Sequence, residues 1–272
     1  MDAITSPANP RVKTVVKLRQ RSHRDALGLM LIEGYRELKR ALDQGYRPTQ
    51  LFHCAELFLK GTNEPALIER ARAAGAEVLS CSAPVFLKMA YRDRPEGLLA
   101  VGPQIHRRLD DLVLPPCALL LIAESIEKPG NLGTMLRSAD AAGVHAVIVC
   151  DRCTDIHNPN VVRASTGTLF SLPVIEAEGE AVRTYLRQRQ FSILAATPHA
   201  TSLHTEVDLT GNVALVVGTE QYGLSRPWLD AADLKVRIPM LGLADSLNVS
   251  AATTILLYEA VRQRLARSGL KP

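Results

Sequence analysis

Residues 118–123 read Ala-Leu-Leu-Leu-Ile-Ala, an apolar run with no polar residue at alternate positions. A strand with one solvated face alternates polar and apolar residues, whereas a continuous apolar run of this length is typical of a parallel strand buried on both faces. Similar runs recur at 146–150, 192–196 and 213–218, with helical stretches between them. The second half of the chain is therefore predicted to be an α/β domain with a mostly parallel sheet.

The rest of the chain divides around this sheet. Residues 250–267 are predicted to form a long closing helix, because Leu257, Val261 and Leu265 recur every four residues and place an apolar stripe on one face. Short strand-like and helix-like segments alternate from residue 29 to residue 101, which predicts a small α/β domain. The expected domains are 1–105 and 117–272, joined by a linker at 106–116.

The net charge of +4 is unevenly distributed along the 272 residues. Residues 1–108 carry 18 Lys and Arg against 11 Asp and Glu, a net of +7, and the remainder carries 14 against 17, a net of −3. A basic first domain is the pattern expected when that domain binds polyanionic nucleic acid and the other performs chemistry. A solvated basic surface without such a partner accounts equally well for the charges alone.

Several other classes are disfavoured. No apolar run approaches the roughly eighteen residues needed to span a bilayer, and the N-terminus lacks the apolar core of a signal peptide, so a cytoplasmic protein is expected. Cys150 and Cys153 form a C-x-x-C with only His157 nearby, which favours a structural role over a metal or redox site. No G-x-G-x-x-G and no Gly-Lys-Ser/Thr follows a strand, which argues against dinucleotide and P-loop sites.

Ligands of parallel α/β sheets bind beyond the carboxyl ends of the strands, and three segments in such positions are unusual. In the first, residues 124–143, Asn131 can cap a helix that holds Arg137. In the second, Glu220 stands in a glycine-rich loop. In the third, Ser246 and Asn248 crowd the start of the last helix. Taken singly, each has an ordinary interpretation as a helix cap or a solvated charge.

Taken together and in order, these segments resemble the three motifs of the SpoU ribose methyltransferases of the SPOUT superfamily. The matching residues are Lys128-Pro-Gly-Asn-Leu-Gly133 with Arg137 and Gly143, then Gly218-x-Glu-x-x-Gly223, then Ile238-Pro-Met240 with Asp245-Ser-Leu-Asn-Val-Ser250. Between them, the stretch from Asn158-Pro through Arg163-x-Ser165 to Leu169-Phe-Ser-Leu-Pro173 also resembles the family. The N-terminal half, with Asn9-Pro-Arg11 and Ile32-Glu-Gly34, looks like the small substrate-binding domain of some members, which is similar to a ribosomal-protein fold that binds RNA.

The resemblance implies a catalytic domain with a deep trefoil knot, a homodimer, and transfer of a methyl group from S-adenosylmethionine to a ribose 2′-hydroxyl without a metal. The positions that it assigns to cofactor binding are Thr197, Gly218, Ile238 and Leu247. The positions that it assigns to catalysis are Arg137, Asn131, Glu220, Ser246 and Asn248. Because an arginine with a pKa above about 12 is a poor base, Arg137 is expected to orient RNA phosphate and stabilise alkoxide character, and Glu220 to orient Arg137 or the substrate.

Other functions fit parts of the same pattern. The alternatives are a catalytically silent RNA-binding factor in ribosome assembly, a tRNA ribose methyltransferase, and an enzyme that methylates a base. The intact polar positions favour an active enzyme, and the third motif favours ribose as the acceptor. The extra N-terminal domain favours ribosomal RNA over transfer RNA. Routine rRNA modification and antibiotic-resistance methylation both agree with these features.

Overall fold

In the computed structural model, which describes residues 3–151 and 153–268, the chain forms two units. The first contains the described residues up to Ile105 together with Asp155–Ser171, and the second contains the remainder. In chain order the helices are α1 Pro10–Lys17, α2 Arg21–Leu27, α3 Tyr35–Asp43, α4 Glu64–Ala73, α5 Ala83–Met89, α6 Pro129–Ala141, α7 Pro159–Ala164, α8 Thr168–Ser171, α9 Gly179–Gln188, α10 Arg226–Ala231 and α11 Val249–Ser268. The strands are β1 Leu29–Glu33, β2 Gln50–His53, β3 Glu77–Ser80, β4 Leu98–Pro103, β5 Leu119–Glu124, β6 Ala146–Cys150, β7 Val174–Ala177, β8 Ser192–Ala196, β9 Ser202–Leu203, β10 Val213–Val217 and β11 Leu234–Arg237.

The first unit is built on a mixed sheet of four strands in the order β1-β4-β2-β3. Strand β4 is antiparallel to β1 and β2, and β2 is parallel to β3. Helix α1 begins where the Asn9 side chain accepts a hydrogen bond from the Arg11 amide, with Pro10 in the first turn. Its buried residues join a core that includes Phe52 of the sheet and Phe86 of α5.

A segment from the second half of the sequence, Asp155–Ser171, belongs to this first unit. The guanidinium of Arg24 forms an ion pair with Asp155, and both side chains are at least 95% buried. Arg24 also donates to the carbonyls of Leu18 and Arg19, so its charge is hydrogen-bonded on several sides. Removing one partner of such a buried pair costs about 3–5 kcal/mol. The ion pair therefore holds Asp155–Ser171 in the first unit. The sequence analysis had assigned these residues to the second domain.

The second unit contains a seven-stranded sheet in the order β7-β6-β5-β10-β8-β11-β9, in which every pairing is parallel. All residues of β5, β6 and β10 are buried, as their continuous apolar sequences predict. Strand β10 lies between β5 and β8, and β11 lies between β8 and β9. Because the strands are parallel, the segments that follow β5, β8, β10 and β11 leave the same edge of the sheet.

Two helices that carry the motifs differ in detail from the prediction. Helix α6 begins at Pro129, so Asn131 lies inside its first turn and does not cap it. The helix ends before Gly143, whose φ of +67° places it in the left-handed region that favours glycine at a helix end. In α11 the buried face passes through Thr253, Leu257 and Ala260 rather than through Val261 and Leu265, and α11 packs against α6.

The described residues include no helix long and apolar enough to cross a bilayer. All five cysteines are free, and Cys150 is buried at the end of β6 whereas Cys153 is exposed. Burial raises the pKa of the Cys150 thiol well above its usual range, which disfavours the reactive thiolate. The His157 ring contacts the backbone of Ile105 within the first unit.

Candidate functional site

The carboxylate of Glu220 brings together side chains from all three sequence motifs. Lys128 donates a hydrogen bond to its Oε2, and Asn131 donates to its Oε1 over 2.7 Å. Asn248, which immediately precedes α11, donates to the same Oε1 over 2.5 Å and also lies 3.2 Å from the side-chain oxygen of Asn131. Lys128, Asn131, Glu220 and Asn248 are called the Glu220 cluster below. The motifs are thus joined at one point by charge-assisted hydrogen bonds.

The loop that presents Glu220 is a tight turn at the end of β10. Thr219 and Gly223 exchange two backbone hydrogen bonds of 3.1 Å, and Gly223 has a φ of +68°. A Cβ on Gly218 would lie 2.3 Å from the Gly223 carbonyl oxygen, closer than atoms can approach. The loop conformation itself therefore requires glycine at position 218, whether or not a ligand is bound.

Asn248 connects the cluster to the last helix. Its side-chain oxygen accepts hydrogen bonds from the amide and the hydroxyl of Ser250, at 3.0 and 2.6 Å. This is the pattern of an N-terminal helix cap, and it fixes the Asn248 side chain so that its amide nitrogen points to Glu220. The oxygen of the Asn248 amide therefore caps α11, while its nitrogen joins the Glu220 cluster.

The charges of the cluster stabilise one another. The hydrogen bond from Lys128 lowers the pKa of Glu220, and Glu220 in turn raises the pKa of Lys128. Glu220 is thus a carboxylate and Lys128 an ammonium over the whole neutral range. Neither group is suited to accept a proton near pH 7, so the cluster is equipped to position groups and to bind anions rather than to act as a base.

Arg137 lies on the exposed surface of α6, six residues beyond Asn131 and therefore about 9 Å further along the helix axis. Among the described residues, none forms a hydrogen bond or an ion pair with its guanidinium. The expected contact between Glu220 and Arg137 is not formed, because the Glu220 oxygens are taken by Lys128 and the two asparagines. Arg137 is consequently free to bind a group supplied from outside this chain.

Three of the four positions expected to bind the cofactor lie at one edge of the sheet. Thr197, Gly218 and Ile238 directly follow the neighbouring strands β8, β10 and β11. The Thr197 amide is already used, since it donates to the Val236 carbonyl over 2.9 Å. By contrast, no described residue hydrogen-bonds to the backbone of Ile238 or of Leu247. Backbone donors and acceptors are thus available in the third motif, as a ligand held through main-chain contacts requires.

The structure leaves Ser246 outside the Glu220 cluster. Its residue is exposed in the loop before α11, and none of the residues described here forms a hydrogen bond with its side chain. In contrast, the sequence analysis placed Lys128 in the first motif but gave it no role at the site, where it pairs with Glu220. It also overlooked Glu124, the buried last residue of β5, which accepts a hydrogen bond of 2.9 Å from the Ser225 amide and so anchors the end of the Glu220 loop.

No group of three or more His, Cys, Asp or Glu side chains in the described part of the chain is arranged to hold a metal ion. The three carboxylate and amide side chains of the Glu220 cluster are hydrogen-bonded to one another and to Lys128. Such mutual pairing suits an organic ligand better than a cation, because Lys128 already supplies a positive charge there.

Comparison with known proteins places this arrangement in context. Residues 118–258 match the sequence profile of the SpoU rRNA Methylase family, and residues 9–100 match that of the MRM3-like substrate binding domain. A relative from Streptomyces viridochromogenes, named 23S rRNA (uridine(2479)-2′-O)-methyltransferase, is 31% identical over 92% of this chain and 88% of its own length.

Two solved structures are similar over nearly the whole chain. One is described as an RNA 2′-O ribose methyltransferase; it is 44% identical, with a TM-score of 0.85 over 97% of this chain and 100% of that one. The other is an AdoMet-bound rRNA methyltransferase from Sinorhizobium meliloti, which is 30% identical, with a TM-score of 0.88 over 96% of this chain and 97% of that one.

Proposed function

Because the chain belongs to the SpoU rRNA methylase family, we propose that it transfers a methyl group from S-adenosylmethionine to a ribose 2′-hydroxyl of ribosomal RNA. The family expected from the three motifs is confirmed, and so is the mixed α/β architecture with a parallel sheet. The observation that carries the proposal is the convergence of the three motifs on Glu220. A silent relative would have no need to keep these polar side chains in mutual contact.

We propose that the cofactor binds at the edge of the sheet where Gly218, Ile238 and Leu247 present backbone, with Thr197 at the margin. The free main-chain groups of Ile238 and Leu247 support this, as does the tight turn after Gly218, which brings bare backbone to that edge. S-adenosylmethionine supplies a methyl group on an already activated sulfonium. The protein therefore has to align the acceptor oxygen, let its proton pass to solvent, and stabilise the charge that develops on it.

In this mechanism Arg137 binds an RNA phosphate and stabilises negative charge on the 2′-oxygen. Its exposure and its lack of a partner among the described residues support that role. The Glu220 cluster holds the cofactor loops in register, and Asn131 and Asn248 offer amide groups to the ribose or to the cofactor. Ser246 would join them only after the loop before α11 closes over a ligand, since its hydroxyl has no contact with the cluster.

The first unit would supply much of the RNA affinity. Residues 1–105 carry 16 Lys and Arg against 11 Asp and Glu, and phosphate contacts dominate nucleic-acid binding. The match of residues 9–100 to a substrate binding domain supports the same role. We assign 106–116 as the linker and 117–272 as the methyltransferase domain, except for Asp155–Ser171, which belongs to the first unit.

Three further features belong to the proposal. Insertion of β10 and β11 between strands that precede them in sequence supports a knotted C-terminal segment.

A homodimer is supported by exposed apolar residues on α11, Ile255 and Tyr258, and in the preceding loop, Leu241 and Leu243. Light scattering should give twice the monomer mass. A ribosomal RNA substrate supports action in the cytoplasm.

The decisive experiment compares 2′-O-methylation sites across total RNA from cells with and without this gene. One ribosomal RNA nucleotide should lose its methyl group in the deletion strain, and the purified protein with S-adenosylmethionine should restore it. Nucleoside analysis of the product separates ribose from base methylation. A site in transfer RNA would redirect the substrate, and a complete methylation map in the deletion strain would favour a silent assembly factor.

A further inference from the structure

A cleft of about 830 Å³ in the first unit is bordered by arginines from three separate segments. Arg36 comes from the first turn of α3, Arg94 from the loop before β4, and Arg163 from the end of α7. Tyr35 and Thr166 also line it. The name arginine cleft is used below for the surface formed by Arg36, Arg94 and Arg163. It lies entirely within the first unit, whereas the methyl-transfer motifs all lie in the second.

The three guanidiniums of the arginine cleft have no anionic partner in the described part of the chain. All three residues are exposed, and no described residue forms a hydrogen bond or an ion pair with any of their side chains. The neighbouring Arg40, by contrast, donates to the carbonyl and the hydroxyl of Thr166. One exposed carboxylate, Asp93, lies on the same cleft and leaves the unpaired charge positive. Several unneutralised cations around one concave surface attract a polyanion.

The acidic residues at the base of the cleft share one cation, Arg92, and a backbone amide. Arg92 forms ion pairs with Glu37, at 2.7 Å, and with Glu96, and it donates to the Glu33 carbonyl over 2.9 Å. The Tyr35 amide donates to the other oxygen of Glu96 over 3.0 Å. Because Arg92 is only 12% exposed, this network is a fixed part of the protein rather than a binding group. The lining carries four arginines against Glu37, Asp93 and Glu96, so the cleft has a net charge of +1, and three of its four arginines are exposed and unpaired among the described residues.

Arg163 reaches the cleft because the segment Asp155–Ser171 packs against α3. Gly167, with a φ of +85°, lies so close to α3 that a Cβ on it would be 3.1 Å from the Glu37 Cα. The Arg40 contact with Thr166 closes the same turn, and the buried Arg24–Asp155 ion pair holds the start of the segment. The packing of this stretch on α3 thus brings Arg163 to the same cleft as Arg36.

We propose that the arginine cleft binds the sugar–phosphate backbone of the substrate RNA, at nucleotides other than the one that is methylated. Arginine forks bind phosphate oxygens in bidentate fashion, and such contacts position an RNA without reading its sequence. The proposal rests on the proposed function for the identity of the polyanion. It adds a place where that RNA is held and assigns Arg36, Arg94 and Arg163 to it.

The test uses the full-length protein and a fluorescein-labelled single-stranded oligo(U) of twelve nucleotides, which contains no ribosomal sequence. Each phosphate contact contributes about 0.7 to the slope of log affinity against log salt for single strands, which is about fourfold in affinity at 0.15 M salt. Changing Arg36, Arg94 and Arg163 together to Ala should lower the affinity about 50-fold and the slope by about 2. Arg47→Ala removes an exposed arginine of the same unit that lies outside the cleft and pairs with no described residue, so it should leave both values unchanged.

Single variants keep the test valid if the triple variant does not fold. Arg36→Gln and Arg163→Gln should each lose about fourfold in affinity with an unchanged melting temperature. Unchanged affinity and slope in the triple or the single variants would overturn the proposal, and so would an equal loss in Arg47→Ala. Binding of S-adenosylmethionine, measured by calorimetry on the same variants, should stay at the native value. A failure of the native protein to methylate ribosomal RNA would instead count against the proposed function, because the oligo(U) measurement requires no methyl transfer.

Discussion

Replacing Arg137 with Ala tests the proposed chemistry most directly, because the structure separates its effect on folding from its effect on catalysis. The side chain is exposed on α6, and no described residue pairs with it. Alanine also favours helix formation at least as well as arginine. The free energy of unfolding should therefore change by no more than about 0.5 kcal/mol.

The expected effect on catalysis is much larger. Removing one donor that stabilises a developing oxyanion costs about 10²–10³ in kcat, which corresponds to about 2.7–4.1 kcal/mol. The Glu220 cluster should stay intact, since Arg137 makes none of its hydrogen bonds. Affinity for S-adenosylmethionine should therefore remain at the native value, and the whole loss should fall on the methyl-transfer step.

Single-turnover methylation with saturating RNA measures that step, and calorimetry measures cofactor affinity on the same preparation. Arg137→Lys keeps the charge but not the planar fork, so it should recover only part of the rate if bidentate phosphate binding matters. Arg47→Ala serves as the control for loss of one exposed positive charge. A single-turnover rate of Arg137→Ala within threefold of native would refute the reasoning, and so would a parallel loss of cofactor affinity and stability.

Three further outcomes follow from the site. Gly218→Ala should weaken cofactor binding about tenfold, because its Cβ would lie 2.3 Å from the Gly223 carbonyl oxygen. Gly211→Ala is the control, since its Cβ meets open space and cofactor affinity should stay native. Equal calorimetric affinities for the two variants would contradict this. The pKa of Glu220 should lie below its usual 4.5. The pairing with Lys128 therefore persists above pH 4.5 and is lost only as the pH falls through the lowered pKa. An NMR titration midpoint above 4.5 would mean that the pairing does not form in solution. Activity should be insensitive to chelators, and activity restored by one divalent ion would count against a metal-free mechanism unless that ion acts by folding the RNA.

Much of the second unit was predictable from local sequence. The runs at 146–150 and 192–196 match β6 and β8 residue for residue, because strands buried on both faces carry an unmistakable composition. Strand β11 escaped prediction, since Leu234–Arg237 alternates apolar and basic residues next to a helix end. Order in the sheet was also beyond local sequence, because insertion of β10 and β11 between earlier strands depends on long-range packing.

The sequence predicted which residues form the site better than it predicted how they pair. Asn131, Glu220 and Asn248 do meet, as their positions after parallel strands suggested. The partner that Glu220 chooses could not be foreseen, since Lys128 and Arg137 are both cations on the same segment. Position along the helix axis decides between them. Lys128 precedes the first turn of α6, whereas Arg137 lies too far along the axis to reach Glu220.

The return of Asp155–Ser171 to the first unit has a consequence for synthesis on the ribosome. Residue 105 leaves the ribosome about fifty residues before Asp155, which at 5–20 residues per second is a wait of about 3–10 s. During that interval Arg24 has no counter-ion, so the N-terminal sheet can be assembled but its buried charge is not yet neutralised. The N-terminal half is therefore not a freely exchangeable module. A hybrid that takes residues 1–105 from a relative should mature in good yield only if it takes the matching 155–171 as well.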